Sequence, residues 1–223
     1  MKNIVIASPT SMEMATVNSF SGLEKIVLGV GPVSAAINLV HFLEHNRPEL
    51  LLLIGICGAY PDRSVDIGDC LVADKEIFGD FGRCGGDDIV PIDIVGEEIE
   101  SEFDLQQSLE GSAYCYMLPF LRDTNRLISG TFVTVCCSSM SRERACLLSR
   151  KWDAHAENME GAAVCQVCQM YSLPVIEIRS VSNIVGEPRD KWDISGALSV
   201  LEKEVTYLLR SISEKDCSHE TAP

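Results

Sequence analysis

The stretch from Glu49 to Ile56 constrains this chain more than any other, because after its first residue it runs without a polar side chain. A strand with one wet face alternates apolar and polar residues. An unbroken apolar run of this length therefore marks a central strand buried on both faces, in a sheet covered by helices on each side. It ends in Gly55-Ile56-Cys57-Gly58-Ala59-Tyr60. There the small residues let backbone approach a ligand or a neighbouring element closely, which makes Cys57 and Gly58 candidate contacts.

Around that strand the chain alternates strand and helix patterns. Met1-Lys2-Asn3-Ile4-Val5-Ile6-Ala7 is too short an apolar run for a signal peptide and reads as a first strand. The polar turn Ser8-Pro9-Thr10-Ser11-Met12-Glu13 feeds a short helix. Further strands are expected at 25–30, 67–74, 127–135 and 174–183, with helices at 33–45, about 141–150, after Glu160, and about 194–211. The chain of 223 residues with 46% hydrophobic content suffices for one domain, 1–213. Residues 214–223 are expected as a flexible tail. The fold class is α/β, three-layer α/β/α with a central mixed sheet.

Residues 84–121 contain nine acidic residues and no Lys or Arg. They read as solvated loop and helix, whose Phe103, Tyr114, Tyr116 and Pro119-Phe120 either cover the mouth of a site or meet another subunit.

Eighteen basic against 33 acidic residues give a net charge of -15. That opposes nucleic acid or an anionic membrane surface as partner and leaves small molecules and proteins. No segment approaches membrane-spanning length. Ten scattered cysteines fit a reducing cytoplasm. Cys165-x-x-Cys168 lacks the second Cys/His pair of a zinc site and reads as core packing, so no metal is expected.

Glu157-Asn158-Met159-Glu160-Gly161-Ala162-Ala163 places an acid at the start of an apolar helix whose Val164, Cys165, Val167, Cys168 and Met170 have the spacing of a packed face. A carboxylate there must be satisfied. A neutral ligand with two adjacent hydroxyls would donate two short hydrogen bonds to it. Equally, Glu160 reads as a negative charge on its own helix N-terminus. The local sequence leaves both open.

Met159-Glu160, Arg179-Ser180-Val181-Ser182-Asn183, Gly55-Ile56-Cys57-Gly58-Ala59 and Glu13, in that family's order over roughly residues 1–210, together resemble the purine nucleoside phosphorylase and nucleosidase family. Gly29-Val30-Gly31-Pro32-Val33-Ser34-Ala35-Ala36 and Lys191-Trp192-Asp193-Ile194 look most like its futalosine hydrolases, which act in menaquinone biosynthesis, with the methylthioadenosine/S-adenosylhomocysteine nucleosidases next. The resemblance implies cleavage of N-ribosidic bonds without metal or organic cofactor, in an enzyme that is usually a homodimer. It implies that Glu160 holds the ribose hydroxyls with Met159 under the sugar. Glu13 would activate water, Ser182 and Asn183 contact the purine, Arg179 brace the site, and Phe132 or Val133 lie beside the base.

Breaking the C1′–N9 bond gives an oxocarbenium-like sugar and an electron-rich purine, so both charges must be stabilised and water delivered. The first arginine is Arg47, and Ser8-Pro9-Thr10 is not a phosphate-cradling loop, so water is the expected nucleophile. Asn183 stands where the adenine-specific nucleosidases carry an aspartic acid. Asparagine cannot act as that acid, but its NH2 can donate to N7 and a 6-oxo group, which suits hypoxanthine. The resemblance thus points to a nucleoside hydrolase; the same fold as a nucleoside-binding sensor is the reading from another class.

Overall fold

A computed structural model describes residues 3–85, 88–90, 100–110, 112–114, 117–122 and 125–219. The apolar run forms strand β3, Leu50–Ala59, which pairs in parallel with β1, Ile4–Ser8, on one side and with β10, Val175–Ile184, on the other. Its residues alternate between two apolar cores, which is why the run has no polar break. Leu51 and Leu53 join Val5, Ala7 and Val175 under helices α2, Pro32–His45, and α6, Gly161–Met170. Leu50, Leu52 and Ile54 join Ile4, Ile6, Ile176 and Ile178 under α7, Ile194–His219.

β2, Glu24–Val27, lies beyond β1 as a parallel edge. On the other flank β10 runs antiparallel to β4, Cys70–Phe78, which pairs in parallel with β8, Ile128–Thr134. β8 then pairs with the short β9, Ala156–Asn158, and β9 returns to pair antiparallel with Gly58 and Ala59 of β3. The strands β3, β10, β4, β8 and β9 thus close a circuit at one end of a mixed sheet. The α/β class with a central mixed sheet is as expected; the closure is not visible in the strand pattern. A third apolar cluster, with Tyr60, Val133 and Leu148, lies under α5, Arg142–Trp152.

Three expectations are corrected. Two aromatics of 84–121 face inward: among the described residues this stretch, largely exposed otherwise, holds β5, Arg83–Gly85, β6, Asp88–Val90, β7, Glu102–Asp104, α3, Leu105–Glu110, and α4, Leu118–Leu121. Phe103 and Tyr114 are buried in the two main cores, and Leu105, Leu109, Met117 and Leu121 are buried with them, so these side chains serve packing within the chain. Tyr116 lies outside the described residues. Met170 is 73% exposed, because it falls at the end of α6 after the packed face has turned away. The last helix continues to His219 rather than stopping near Ser211, and residues 220–223 lie outside the described ones. Among the described residues no helix is long and apolar enough to cross a membrane.

Candidate active site

The polar groups gather at the carboxyl ends of β1, β3, β9 and β10, where loops leave the sheet. Directly after β1, Thr10 caps the short helix α1, Ser11–Met14: its Oγ accepts from the Glu13 amide at 3.2 Å. The same hydroxyl donates to Glu13 Oε2 at 2.5 Å, while Glu13 Oε1 accepts from the Ile56 amide at 2.9 Å. Glu13 is thereby held only 3% exposed against the end of β3. Burial pushes its carboxyl above the ordinary value, and Thr10, the Ile56 amide and Arg179 oppose that rise.

Glu160 stands at the first turn of α6 without capping it. Asn158 Oδ1 accepts from the amides of Glu160 and Gly161, each at 2.8 Å, and Thr134 Oγ accepts from the amide of Ala162 at 2.8 Å. These neutral groups satisfy the orphan donors of the helix. The Glu160 side chain is therefore free to reach across to the Gly31 amide at 3.0 Å and to within 3.3 Å of Arg179 Nη2. Gly31 offers that amide from a backbone at φ 91°, a conformation that side chains disfavour. The local reading of Glu160 as a cap of its own helix is thus corrected.

Arg179, on β10, is 1% exposed. Its Nε donates to Glu177 Oε1 at 2.7 Å and its Nη1 to the Ile56 carbonyl at 3.1 Å. Burial alone would lower the guanidinium, but Glu177, Glu160 and Glu13 outweigh it and hold the group above its ordinary value. Arg179 therefore sits as a fixed cation between Glu13 and Glu160.

Further along β10 a bulge intervenes: Val181 pairs with Cys57 and Asn183 with Gly58, so Ser182 is an extra residue. Bulges of this kind re-aim a side chain. The Asn183 amide consequently packs over Gly58, where an added Cβ would lie 3.0 Å from Asn183 Nδ2. Ser182 Oγ lies 3.2 Å from the Cys57 carbonyl and 2.8 Å from Asn183 Oδ1, two acceptors for its one proton. With Oδ1 facing that hydroxyl, the Asn183 NH2 keeps its donor capacity.

The structure brings Glu13, Glu160 and Arg179 together, and Ser182 and Asn183 with Gly58. Cys57 is buried below them as a packing group; its thiol donates to the Ser180 carbonyl at 3.8 Å and burial pushes it up to about 12. Met159 packs, half-buried, on the cluster of Tyr60 and Val133. Phe132 and Val133 are both fully buried, Phe132 in the core that α2 and α6 share and Val133 in the one under α5, so neither presents surface to a ligand here. Asn158, Thr134 and Thr10 are site-building residues that motif reading passes over. The S/T-x-x-E spacing of Thr10 and Glu13 is the one signal that would have found one of them.

Among the described residues, one group has metal-ligand spacing: His41, Glu44 and His45, exposed on the last turns of α2, at the far end of that helix from Gly31. Cys165 and Cys168 are buried and free. A cavity of about 600 Å³ between β7, α3 and the end of α6 is lined in part by Cys165 and Cys168 and by none of Glu13, Glu160, Arg179, Ser182 and Asn183.

The phosphorylase superfamily model matches residues 19–214. The futalosine hydrolase of Thermus thermophilus is 32% identical, with 85% of this chain and 82% of that protein aligned. The futalosine hydrolase of Streptomyces coelicolor is 30% identical, over 84% of this chain and 78% of that protein. Among solved structures, a Helicobacter pylori methylthioadenosine/S-adenosylhomocysteine nucleosidase mutant with 5′-methylthioadenosine in its active site superposes with a TM-score of 0.78. It is 18% identical and covers 95% of this chain and all of that one.

Proposed function

The chain belongs to the phosphorylase superfamily, and from that membership we propose that it is an N-ribosyl hydrolase that cleaves the purine N-glycosidic bond of a 5′-modified nucleoside, with futalosine as preferred substrate and hypoxanthine as released base. The observation that carries this reading is the pair of buried carboxylates, Glu13 and Glu160, on either side of Arg179. Among the described residues Glu160 has a single aligned donor, the Gly31 amide, and so keeps acceptor capacity for the 2′ and 3′ hydroxyls of a ribose. Its charge, facing the sugar, lowers the energy of the oxocarbenium-like transition state. Glu13, with its carboxyl raised by burial, takes a proton from the attacking water as the water oxygen bonds to C1′. The electron pair of the C1′–N9 bond passes to the purine, where the Asn183 NH2 donates to N7 and the 6-oxo group. Arg179 braces both acids, Ser182 orients the Asn183 amide, and Met159 packs under the sugar. Cys57 and Gly58 form the floor; Phe132 and Val133, fully buried in the cores, are not assigned to the base.

Hydrolysis rather than phosphorolysis is supported by the turn after β1: Ser8 Oγ donates to the Thr10 carbonyl and Thr10 serves Glu13, so these hydroxyls are engaged within the chain. The reaction needs no metal or cofactor. The setting is the reducing cytoplasm and the pathway menaquinone synthesis. We also propose a homodimer, supported by exposed Val30, Val33 and Ile37 beside Gly31, with Val33 70% exposed.

The test is release of free base, followed by chromatography, from futalosine, methylthioadenosine, S-adenosylhomocysteine and inosine, each with and without phosphate. Hypoxanthine from futalosine alone, independent of phosphate, is expected. Adenine as preferred product would replace this reading with the methylthioadenosine/S-adenosylhomocysteine nucleosidase one, which the Helicobacter pylori likeness keeps in view. Tight binding without turnover would leave a nucleoside-binding sensor.

A further inference from the structure

Behind the acids assigned to the reaction lie two more. Glu76 of β4 and Glu177 of β10 are both fully buried, and both crowd Gly161 at the start of α6. A Cβ there would collide with Glu76 Oε1 and lie 2.7 Å from Glu177 Oε2. Together with Glu13 and Glu160 they make four buried carboxyl groups close to one guanidinium, that of Arg179. One cation cannot balance four buried anions, and a dry, unpaired carboxylate takes up a proton instead.

The hydrogen bonds show where a proton is needed. Glu177 Oε1 receives the well-formed Arg179 Nε bond at 2.7 Å, but its Oε2 is buried with no donor among the described residues. Glu76 has neutral partners, Asn158 Nδ2 at Oε1 and Thr134 Oγ at Oε2, the latter at 2.9 Å. A proton on Glu76 Oε1, pointing over Gly161, supplies the donor that Glu177 Oε2 lacks. The electrostatics agree: burial, and after it Glu177, push the Glu76 carboxyl well above the ordinary range, whereas Arg179 is the chief group opposing that rise at Glu177. Cys165 of α6 faces the same two acids and is itself pushed up as a neutral thiol.

We infer that Glu76 and Glu177 form a carboxyl–carboxylate pair sharing one proton, with Glu76 as the neutral acid and Glu177 as the anion that holds Arg179. The consequence falls on Glu160. Because Nε is committed to Glu177, Nη2 approaches Glu160 at 3.3 Å without the alignment of a hydrogen bond. The carboxylate that is to receive the sugar hydroxyls is neutralised from a distance without being occupied. Glu76 and Glu177 are positioning residues, and this role rests on the reading of Glu160 given above.

Two isosteric substitutions separate the members of the pair. Glu76→Gln keeps a neutral donor toward Glu177 and loses one hydrogen bond with Asn158, so kcat/KM should stay within about fivefold of the wild type. Glu177→Gln removes the anion and lets Arg179 turn to Glu160, where it competes with the ribose hydroxyls. KM should rise by about tenfold or more, with kcat changed less. Infrared spectroscopy at neutral pH reads the proton without turnover. The carbonyl stretch of a protonated carboxyl should be present in the wild type and in Glu160→Gln, and absent in Glu76→Gln. Equal losses in both variants, the reverse order, or no protonated-carboxyl band in the wild type would overturn the pair. Should Glu177→Gln fail to fold, the infrared comparison decides alone. A wild type that shows the band but releases no base from any nucleoside would sink the functional reading and leave the proton pair standing.

Discussion

Glu157 and Glu160 stand three residues apart, both buried acids at the same end of the sheet, and their surroundings differ in one respect. Glu157 receives the Ser139 amide at 2.8 Å, the Ser139 hydroxyl at 2.6 Å and the Tyr60 hydroxyl at 3.2 Å. Among the described residues Glu160 receives one aligned donor and the loose approach of a guanidinium. A carboxylate offers roughly four lone-pair directions. Glu157 has filled most of its own from within the chain and so ties the 136–140 loop to β9. Glu160 has left room. Burial of an acid therefore does not by itself mark a binding group; unfilled acceptor capacity does.

The largest effect expected tests the other acid of the site. Glu13→Gln should lower kcat by about 10²–10⁴ with KM little changed, as loss of a general base does; a steady-state assay with full activity would remove Glu13 from the chemistry. The contrast between the neighbouring acids comes next. Glu160→Gln should lower kcat/KM by about tenfold to a hundredfold, while Glu157→Gln should leave it within about threefold and reduce stability to denaturant by about 1–3 kcal/mol. If both variants lose activity alike, acceptor capacity is the wrong criterion. Asn183→Asp restores an acid beside the base and should raise release of adenine from methylthioadenosine by about tenfold. An unchanged ratio of adenine to hypoxanthine would show that the base is selected elsewhere.

The smallest effect is in the pH dependence of stability. Burial holds the Glu157 carboxyl above its ordinary 4.5, against the opposing pull of Ser139 and Tyr60. Between 4.5 and that raised value the folded chain binds more protons at this site than the unfolded chain, so its contribution to stability falls as pH rises. Glu157→Gln removes that contribution. Its Tm should decline less than that of the wild type as pH is raised from about 4.5 through this window, and parallel curves would refute the assignment.

How much of this was legible beforehand follows from what each signal depends on. The run after Glu49 announced a doubly covered strand because its burial is written in consecutive residues. Glu13, Glu160, Arg179 and Asn183 were found through short motifs, and the structure gathers them at the strand ends. Glu76 was missed because Asp74-Lys75-Glu76 reads as the polar end of a strand, whereas β4 continues to Phe78 and turns Glu76 inward. Its partner had a signal that went unused: in Val175-Ile176-Glu177-Ile178-Arg179 an acid and a base two apart share one face of a strand that is apolar on both sides. The cores formed by Phe103 and Tyr114 were hidden because short elements there lack a full period. The closing contact of β9 on β3 joins residues nearly a hundred positions apart and leaves no local trace.

That closure also bears on when the molecule becomes competent. Glu13, Gly31, Ile56, Glu160 and Arg179 converge from segments spread over most of the chain, and the β3–β10 pairing that brings Arg179 to Ile56 is strongly non-local. Loop closure of that span is slow and comes late. During synthesis, an emerging chain that already holds β1 to α6 carries Glu13 and Glu160 and lacks Arg179, so the proposed site stays incomplete until β10 slots between β3 and β4.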